Sequence, residues 1–305
     1  MPQDYFAVNG RVVPAAEATI SVLDLGFLRG VGGFETMRTY GGGCPHALGE
    51  HLRRLWESCA AFGLAPVVDE ATVRAVIAEI RRVSGHDELR VNLIVTPGIN
   101  TNGVFGATAQ PTWVVIARDL HAPPESAYRD GVTAITFNAA RHLPTLKTTN
   151  YLTGTAGLMQ AEKAGAHEAF YVSEDGYVTE GVTSNVLVVQ GRRVMTPVVD
   201  CLPGITKAGI RPLAEEAGLS WYECRLTCDD LYLADEVWIT SAVREILPVV
   251  AVDSRRIADG RPGQWAKRLR GLYHRACIAQ SRREAGLPEA WEEPHSGGPR
   301  PARGE

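Results

Sequence analysis

The 305-residue chain has no CxxC pair, and its six cysteines, at 44, 59, 201, 224, 228 and 277, show no Cys/His spacing that suits zinc. Metal and redox motifs are therefore not where its chemistry lies, and the cysteines read as reduced structural thiols. Basic excess is missing too. With 31 Lys and Arg against 35 Asp and Glu the net charge is −4, and no basic stripe interleaves with aromatics, which argues against a nucleic-acid partner. No apolar run approaches the length of a membrane span, and "MPQDYFAVNG" has neither a basic nor an apolar targeting segment, so the expectation is a soluble cytoplasmic protein with no membrane partner. GxxxxGK[ST], HExxH and GxSxG are all absent, which removes the usual support for phosphate loops, zincin chemistry and the serine-hydrolase elbow. The glycine cluster "RGVGGFET" fails the dinucleotide fingerprint because Glu35 stands where the last glycine is needed.

What is present is enough apolar residue, 45%, to bury a full core, over a length that suits two medium domains. "YFAVNGRVV" reads as a hairpin turning at Asn9-Gly10. Apolar residues at Leu52, Leu55, Trp56, Cys59 and Phe62 give one helical face, and a second helix covers about 70–83. Strands "LRVNLIVT" and "TWVVIARD" follow. The paired prolines of "LHAPPESAYRDG" then suggest a linker at 121–131 between a smaller domain (1–120) and a larger one (132–284). The second part mixes strands "GVTAITF", "NVLVV" and "DEVWIT" with helices from about Thr153 to Lys163, in "TKAGIRPLAEEAG" and around Trp265 to Ala276, with a hairpin at Asp175-Gly176. Without strict βαβ repetition this predicts a two-domain α+β (mixed α/β) fold. The tail at 285–305, rich in Pro, Gly and charge, reads as disordered.

Four stretches carry candidate chemistry. In "HLPTLKTTNYLTG" Lys147 sits between a strand and a helix, where a loop side chain can enter a cleft; desolvation there frees the amine for Schiff-base chemistry. A solvated surface lysine is the alternative. In "YVTEGVTSNVLVV" Glu180 ends a strand, either inside a cleft or as a turn residue facing water. In "LPGITKAGI" Gly204, Ile205 and Thr206 open a helix, offering free N–H groups to a phosphate, or Thr206 simply caps the helix. In "VWITSAVREILPV" Thr240, Ser241 and Ala242 end a strand with small residues that can reach an anion, or merely turn the chain.

One lysine, one acid and two anion-cradling turns in this order resemble the class IV aminotransferases, the fold type IV pyridoxal phosphate enzymes, from about Tyr5 to about Ala279. That family includes branched-chain aminotransferases, D-amino acid transaminases, R-selective amine transaminases and aminodeoxychorismate lyase. The resemblance implies a D-amino acid aminotransferase-like two-domain fold with pyridoxal 5'-phosphate as cofactor. Lys147 would hold the cofactor covalently and move a proton, and Glu180 would pair with its pyridine nitrogen. Thr206 and the N–H of Ile205 would cup the phosphate with Ser241, Ala242 and Arg54 of "HLRRL", which points away from the apolar stripe of its helix. No metal is implied. A homodimer, an amino donor and a 2-oxo acid acceptor are the implied partners.

The chain departs from family patterns at several points. Ala242 replaces a common threonine, Lys207 a common arginine, Val182 a smaller residue and Leu187 an aromatic one. Tyr151, the candidate for contact with the cofactor's ring, stands one residue closer to the lysine than in K-x-G-x-N-Y. The Arg and His of D-amino acid transaminases are absent from "INTNGVF", and Leu89 and Val91 occupy the positions nearest the Tyr and Arg of branched-chain members. Phe27, Arg29, Phe34 and Arg38 of "FLRGVGGFETMRTY" remain as substrate-pocket candidates. Transamination is the first expectation. Pyruvate elimination by an aminodeoxychorismate lyase-type enzyme is the alternative, disfavoured by the lack of Lys or Arg in "TPGINTNGVFGAT". A non-catalytic binding protein comes third, since binding alone needs neither the lysine nor the acid.

Overall fold

The computed structural model describes residues 3–99 and 110–288. Most of the loop "INTNGVF" and all but the first residues of the tail lie outside them. The first part of the chain forms β1 (Tyr5–Val8), β2 (Arg11–Pro14), α1 (Leu25–Arg29), β3 (Gly33–Arg38), α2 (Leu48–Ala60), α3 (Glu70–Ser84), β4 (Leu89–Thr96) and β5 (Thr112–Asp119). Its strands make an antiparallel sheet in the order β2-β1-β5-β4-β3. At the β1–β2 turn Asn9 and Gly10 both have positive φ, 48° and 83°, the geometry an Asn-Gly hairpin requires. Alternation then sorts the faces. Met37, Leu89, Val91, Leu93 and Val95 pack under α2 and α3, whereas Phe34, Thr36, Arg90 and Asn92 point the other way. Burying Leu55 fully in that core makes Leu55→Ala worth about 2–5 kcal/mol of stability.

The segment read as a linker carries a short helix, α4 (Glu125–Asp130), and its Tyr128 hydroxyl donates to the Arg244 carbonyl at 3.0 Å. Prolines at 123 and 124 explain the entry, since Pro lacks an N–H and suits a helix start. Beyond it come β6 (Val132–Asn138), α5 (Leu152–Lys163), β7 (Glu168–Val172), β8 (Tyr177–Gly181), β9 (Asn185–Gln190), β10 (Arg193–Thr196), α6 (Ile205–Glu216), β11 (Ser220–Glu223), β12 (Leu226–Thr227), α7 (Cys228–Tyr232), β13 (Glu236–Ser241), β14 (Glu245–Val252), β15 (Arg255–Arg256) and α8 (Gln264–Glu284). They form a ten-stranded mixed sheet, β11-β10-β9-β13-β14-β6-β7-β8-β12 with β15 beside β14. Val186, Val188, Val237 and Ile239 fill one face, and Leu187, Val189 and Trp238 pack under α6 and α8 on the other. Both faces are covered, which is why "NVLVV" and "EVWIT" are continuous apolar runs rather than alternating ones. Among the described residues no helix is long and apolar enough to cross a membrane, and all six cysteines are free thiols.

Candidate active site

The loop that carries Lys147 is stitched to the first sheet by its backbone. Phe34 N–H donates to the Lys147 carbonyl at 3.0 Å, Thr149 N–H to Gly32 at 2.9 Å, and Lys147 N–H to Ser58 Oγ at 2.9 Å. This close approach explains the glycine pair that fails as a nucleotide motif. A Cβ on Gly32 would lie 2.9 Å from the Val95 carbonyl, and one on Gly33 would lie 2.9 Å from Cys59 Sγ. The chain there has room for no side chain, and the lysine is fixed as a result.

A cavity of about 620 Å³ opens between the two sheets, and Lys147, Glu180, Arg54, Ile205, Thr206, Ser241, Ala242, Tyr151 and Phe34 all line it. Lys147 Nζ lies 4.3 Å from the centre of the Phe34 ring, whose edge meets Tyr151. Burial, reinforced by Arg54 and Arg141 against the opposing pull of Glu35 and Glu180, lowers the Lys147 ammonium to about 8. A useful fraction of free amine therefore exists near neutrality.

Two residues that the sequence reading passed over fix the acid and the arginine. Arg141 Nε donates to Glu180 Oε1 at 2.8 Å and Nη1 to the Leu146 carbonyl at 2.7 Å, so one guanidinium holds both the carboxylate and the turn before Lys147. The second Glu180 oxygen accepts Leu202 N–H at 3.0 Å. Burial pushes Glu180 upward in spite of Arg141. Opposite it, Glu35 takes Arg54 Nε and Nη2 and His51 Nδ1, each at 2.7 Å, while Arg54 Nη1 reaches the Pro203 carbonyl at 2.8 Å. Burial alone would raise Glu35, but Arg54 and His51 bring it to about 2. A signal for this cluster was in the sequence: strand alternation puts Glu35 on the buried face beside Met37, and a carboxylate there demands a cation.

The far wall is rich in unclaimed donors. Gly204 caps α6 without a side-chain hydrogen bond, so the N–H groups of Ile205 and Thr206 have no partner within the helix. A Cβ on Gly204 would collide with Asn185 Oδ1. Thr240 Oγ1 is buried and lacks a partner among the described residues. A helix N-terminus, a strand-end turn and Arg54 around one space suit a phosphate, and Glu180 suits a protonated ring nitrogen. The donor set fits a phosphorylated pyridine cofactor.

The class IV amino-transferase family model matches residues 32–252. The chain belongs to that family. It is 32% identical over 277 residues to the D-alanine aminotransferase of Bacillus licheniformis, covering 90% of this chain and 97% of that one. It is 29% identical over 272 residues to the aminodeoxychorismate lyase of Bacillus subtilis, covering 87% and 92%. The crystal structure of a T.th. branched-chain amino acid aminotransferase with pyridoxamine 5'-phosphate superposes with a TM-score of 0.85 at 29% identity, over 93% of this chain and 97% of that one. This chain is accordingly a fold type IV enzyme with mixed α+β structure, and its cofactor is pyridoxal 5'-phosphate.

The enzyme differs from the sequence reading on the substrate side. Phe27 is 68% exposed on α1, and Arg29 sits on the same outer surface, so neither lines the cavity of its own chain. Arg38 lies behind the second anion turn, 3.5 Å from Glu245 and over the Tyr40 ring, and is committed there. Beyond Lys147, the Glu35-paired Arg54 and the Glu180-paired Arg141, the cavity is lined by two further cations, Arg90 and Arg244. Leu89 and Val91 are the natural comparison by position along the chain, but β4 buries both and turns Arg90 and Asn92 toward the cavity.

Proposed function

We propose that the enzyme moves an amino group between an amino acid or amine and a 2-oxo acid, with Lys147 as the attachment point of the cofactor. When bound, pyridoxal phosphate supplies the carbonyl that takes the amino group and the ring that accepts the electrons left when Cα loses its proton. Lys147 Nζ, freed by its lowered pKa, would take the proton from Cα and return it on the far side of the nitrogen, at the carbon that brought the carbonyl. Glu180, held by Arg141 and Leu202, keeps a proton on the ring nitrogen. Ile205, Thr206, Ser241, the backbone of Ala242 and Arg54 hold the phosphate, while Phe34 and Tyr151 flank the amine. The carrying observation is the lowered Lys147 amine in one cavity with an anchored Glu180 and two open N–H turns.

We read the functional unit as a homodimer, because Ile20, Val22, Leu23, Phe27, Leu28 and Ile99 leave apolar side chains exposed around α1, and a second copy would cover them. Residues 1–120 and 132–284 are read as its two domains, with 121–131 joining them. The free thiols fit a reducing compartment, and we place the enzyme in the cytoplasm.

The test incubates cofactor-loaded enzyme with paired amino donors and 2-oxo acids. The expected result is equimolar formation of a new amino acid and a new 2-oxo acid. Lyase action is the second reading, favoured by Arg90 and Arg244 of the cavity, which remove the objection that the enzyme lacks cations for a second carboxylate. Pyruvate release from aminodeoxychorismate without amino transfer from any donor would establish it instead.

A further inference from the structure

Arg244 is built into the cavity wall by contacts that have no evident use in holding a cofactor. It follows the Ser241–Ala242 turn, whose backbone is pinned three ways: Arg244 N–H donates to Ser241 Oγ at 3.3 Å, Tyr128 donates to the Arg244 carbonyl at 3.0 Å, and Arg38 Nη1 to the Val243 carbonyl at 3.4 Å. The next residue, Glu245, adopts φ of 58°, a left-handed conformation that a glutamate tolerates only because the turn is held by its neighbours. Glu245 is itself fixed by His274 at 2.7 Å. The position of Arg244 is therefore rigid before any substrate arrives.

Its guanidinium is anchored at one nitrogen only. Nη1 donates to Thr183 Oγ1 at 2.6 Å and lies 3.4 Å from both the Thr183 carbonyl and Glu168 Oε2. Glu168, wholly buried, also takes the Thr183 and Ser184 hydroxyls at 2.7 and 3.0 Å. Nε and Nη2 of Arg244 have no partner among the described residues and are not sealed from solvent. Together they form the planar edge that grips a carboxylate bidentately. His167, beside it, is held below its ordinary range by burial and by Arg244, so the cation at this wall is the arginine. On the other sheet Arg90 is exposed to the same cavity, also without a partner among the described residues. Besides Arg54 of the proposed phosphate cup and Arg141, which Glu180 holds, the cavity thus offers two guanidinium groups, enough for two carboxylates.

We propose that Arg244 makes the enzyme selective for dicarboxylic substrates, binding one carboxylate of an amino or 2-oxo acid whose other carboxylate pairs with Arg90. The inference rests on the cavity being the substrate site of the aminotransferase reading. Glutarate and valerate, which have the same carbon count and differ by one carboxylate, test the clamp without turnover when titrated into the cofactor-loaded enzyme and followed by the cofactor's absorbance. The same holoenzyme is then assayed with 2-oxoglutarate against 2-oxovalerate. The proposal requires glutarate to bind more tightly than valerate, and Arg244→Met to cut that preference about 10- to 100-fold, the usual worth of a charged hydrogen-bonded pair. In turnover the loss should fall on KM for 2-oxoglutarate more than on kcat, and Arg244→Lys should restore part of it. Equal binding of the two acids by the parent, or an unchanged preference in Arg244→Met that keeps its cofactor and Tm, would overturn the proposal. Glutarate preference with no amino transfer to either oxo acid would retain the clamp and reject the aminotransferase reading.

Discussion

At the inner end of the cavity the charges are already committed within the chain: Arg54 to Glu35, Arg141 to Glu180, and the Lys147 loop to the backbone of β3. At the outer end Arg90 has no partner among the described residues and one edge of Arg244 is open, and on the outer surface around α1 the apolar side chains of Ile20, Val22, Leu23, Phe27 and Leu28 are exposed. The inner end is a preorganised machine that folds with the protein, because its buried charges are tolerable only when paired. The outer end keeps open groups, and under the proposed homodimer and clamp it would take its final form from substrate and from a second copy. Chemistry should therefore depend on inner residues, and selectivity and assembly on outer ones.

The sharpest way to break that contrast is at the lysine. Lys147→Ala should lose covalent cofactor attachment and lower amino transfer by roughly 10³-fold or more, since one side chain serves as both anchor and proton carrier. Absorbance and steady-state rates decide it, and a variant with near-parental turnover would place the chemistry elsewhere.

Glu35 tests preorganisation rather than chemistry. Glu35→Gln leaves Arg54 buried with its charge unmatched and should cost about 3–5 kcal/mol in denaturant unfolding. The pH dependence has a definite sign. Glu35 falls from an ordinary 4.5 to about 2 in the folded enzyme, so its contribution is full above about 4.5 and is lost as pH falls toward 2. Roughly 3 kcal/mol should disappear across that window. Unfolding curves of the variant that kept the parent's acid sensitivity would contradict the assignment.

Glu180→Gln should keep the cofactor while slowing turnover about 100-fold, because a neutral amide cannot hold the ring nitrogen protonated. Parental kcat in that variant would reduce Glu180 to a structural partner of Arg141. A smaller effect is anticipated outside the cavity. Leu23→Ser with Phe27→Ser should shift a dimer toward monomer in light scattering while changing monomer stability by less than about 1 kcal/mol, since both side chains are exposed in the single chain. An unshifted dimer would put the interface on another face.

The same inner and outer division governs how much the sequence reveals. Lys147, Glu180 and the Gly204–Thr206 and Ser241–Ala242 turns stand where local grammar is strong, at strand ends and a helix start, and the structure brings them into one cavity. Helices from Glu70 and from Leu152 follow from periodicity, and the second keeps Gly154 and Gly157 because Val182, Tyr171 and Phe137 press against it. The partnerships of Arg54 with Glu35 and Arg141 with Glu180 span 19 and 39 residues, and nothing local in either segment names the other. Phe27 and Arg29 stand as pocket candidates because the usual carboxylate binders are missing elsewhere, yet α1 closes at Gly30 and both are exposed. Arg90 was hidden by register. A shift of one residue on β4 separates the buried face from the cavity face, and the chain alone does not show which face has the partner sheet.

The most direct measurement of the central claim is the site of cofactor attachment. Holoenzyme reduced with borohydride and digested with trypsin should carry the phosphopyridoxyl group on Lys147. Because the modified lysine resists cleavage, the adduct should emerge in one peptide spanning residues 142–163. Recovery of the group on Lys163, Lys207 or Lys267, or a colourless protein that gains no visible band with pyridoxal phosphate, would contradict the account.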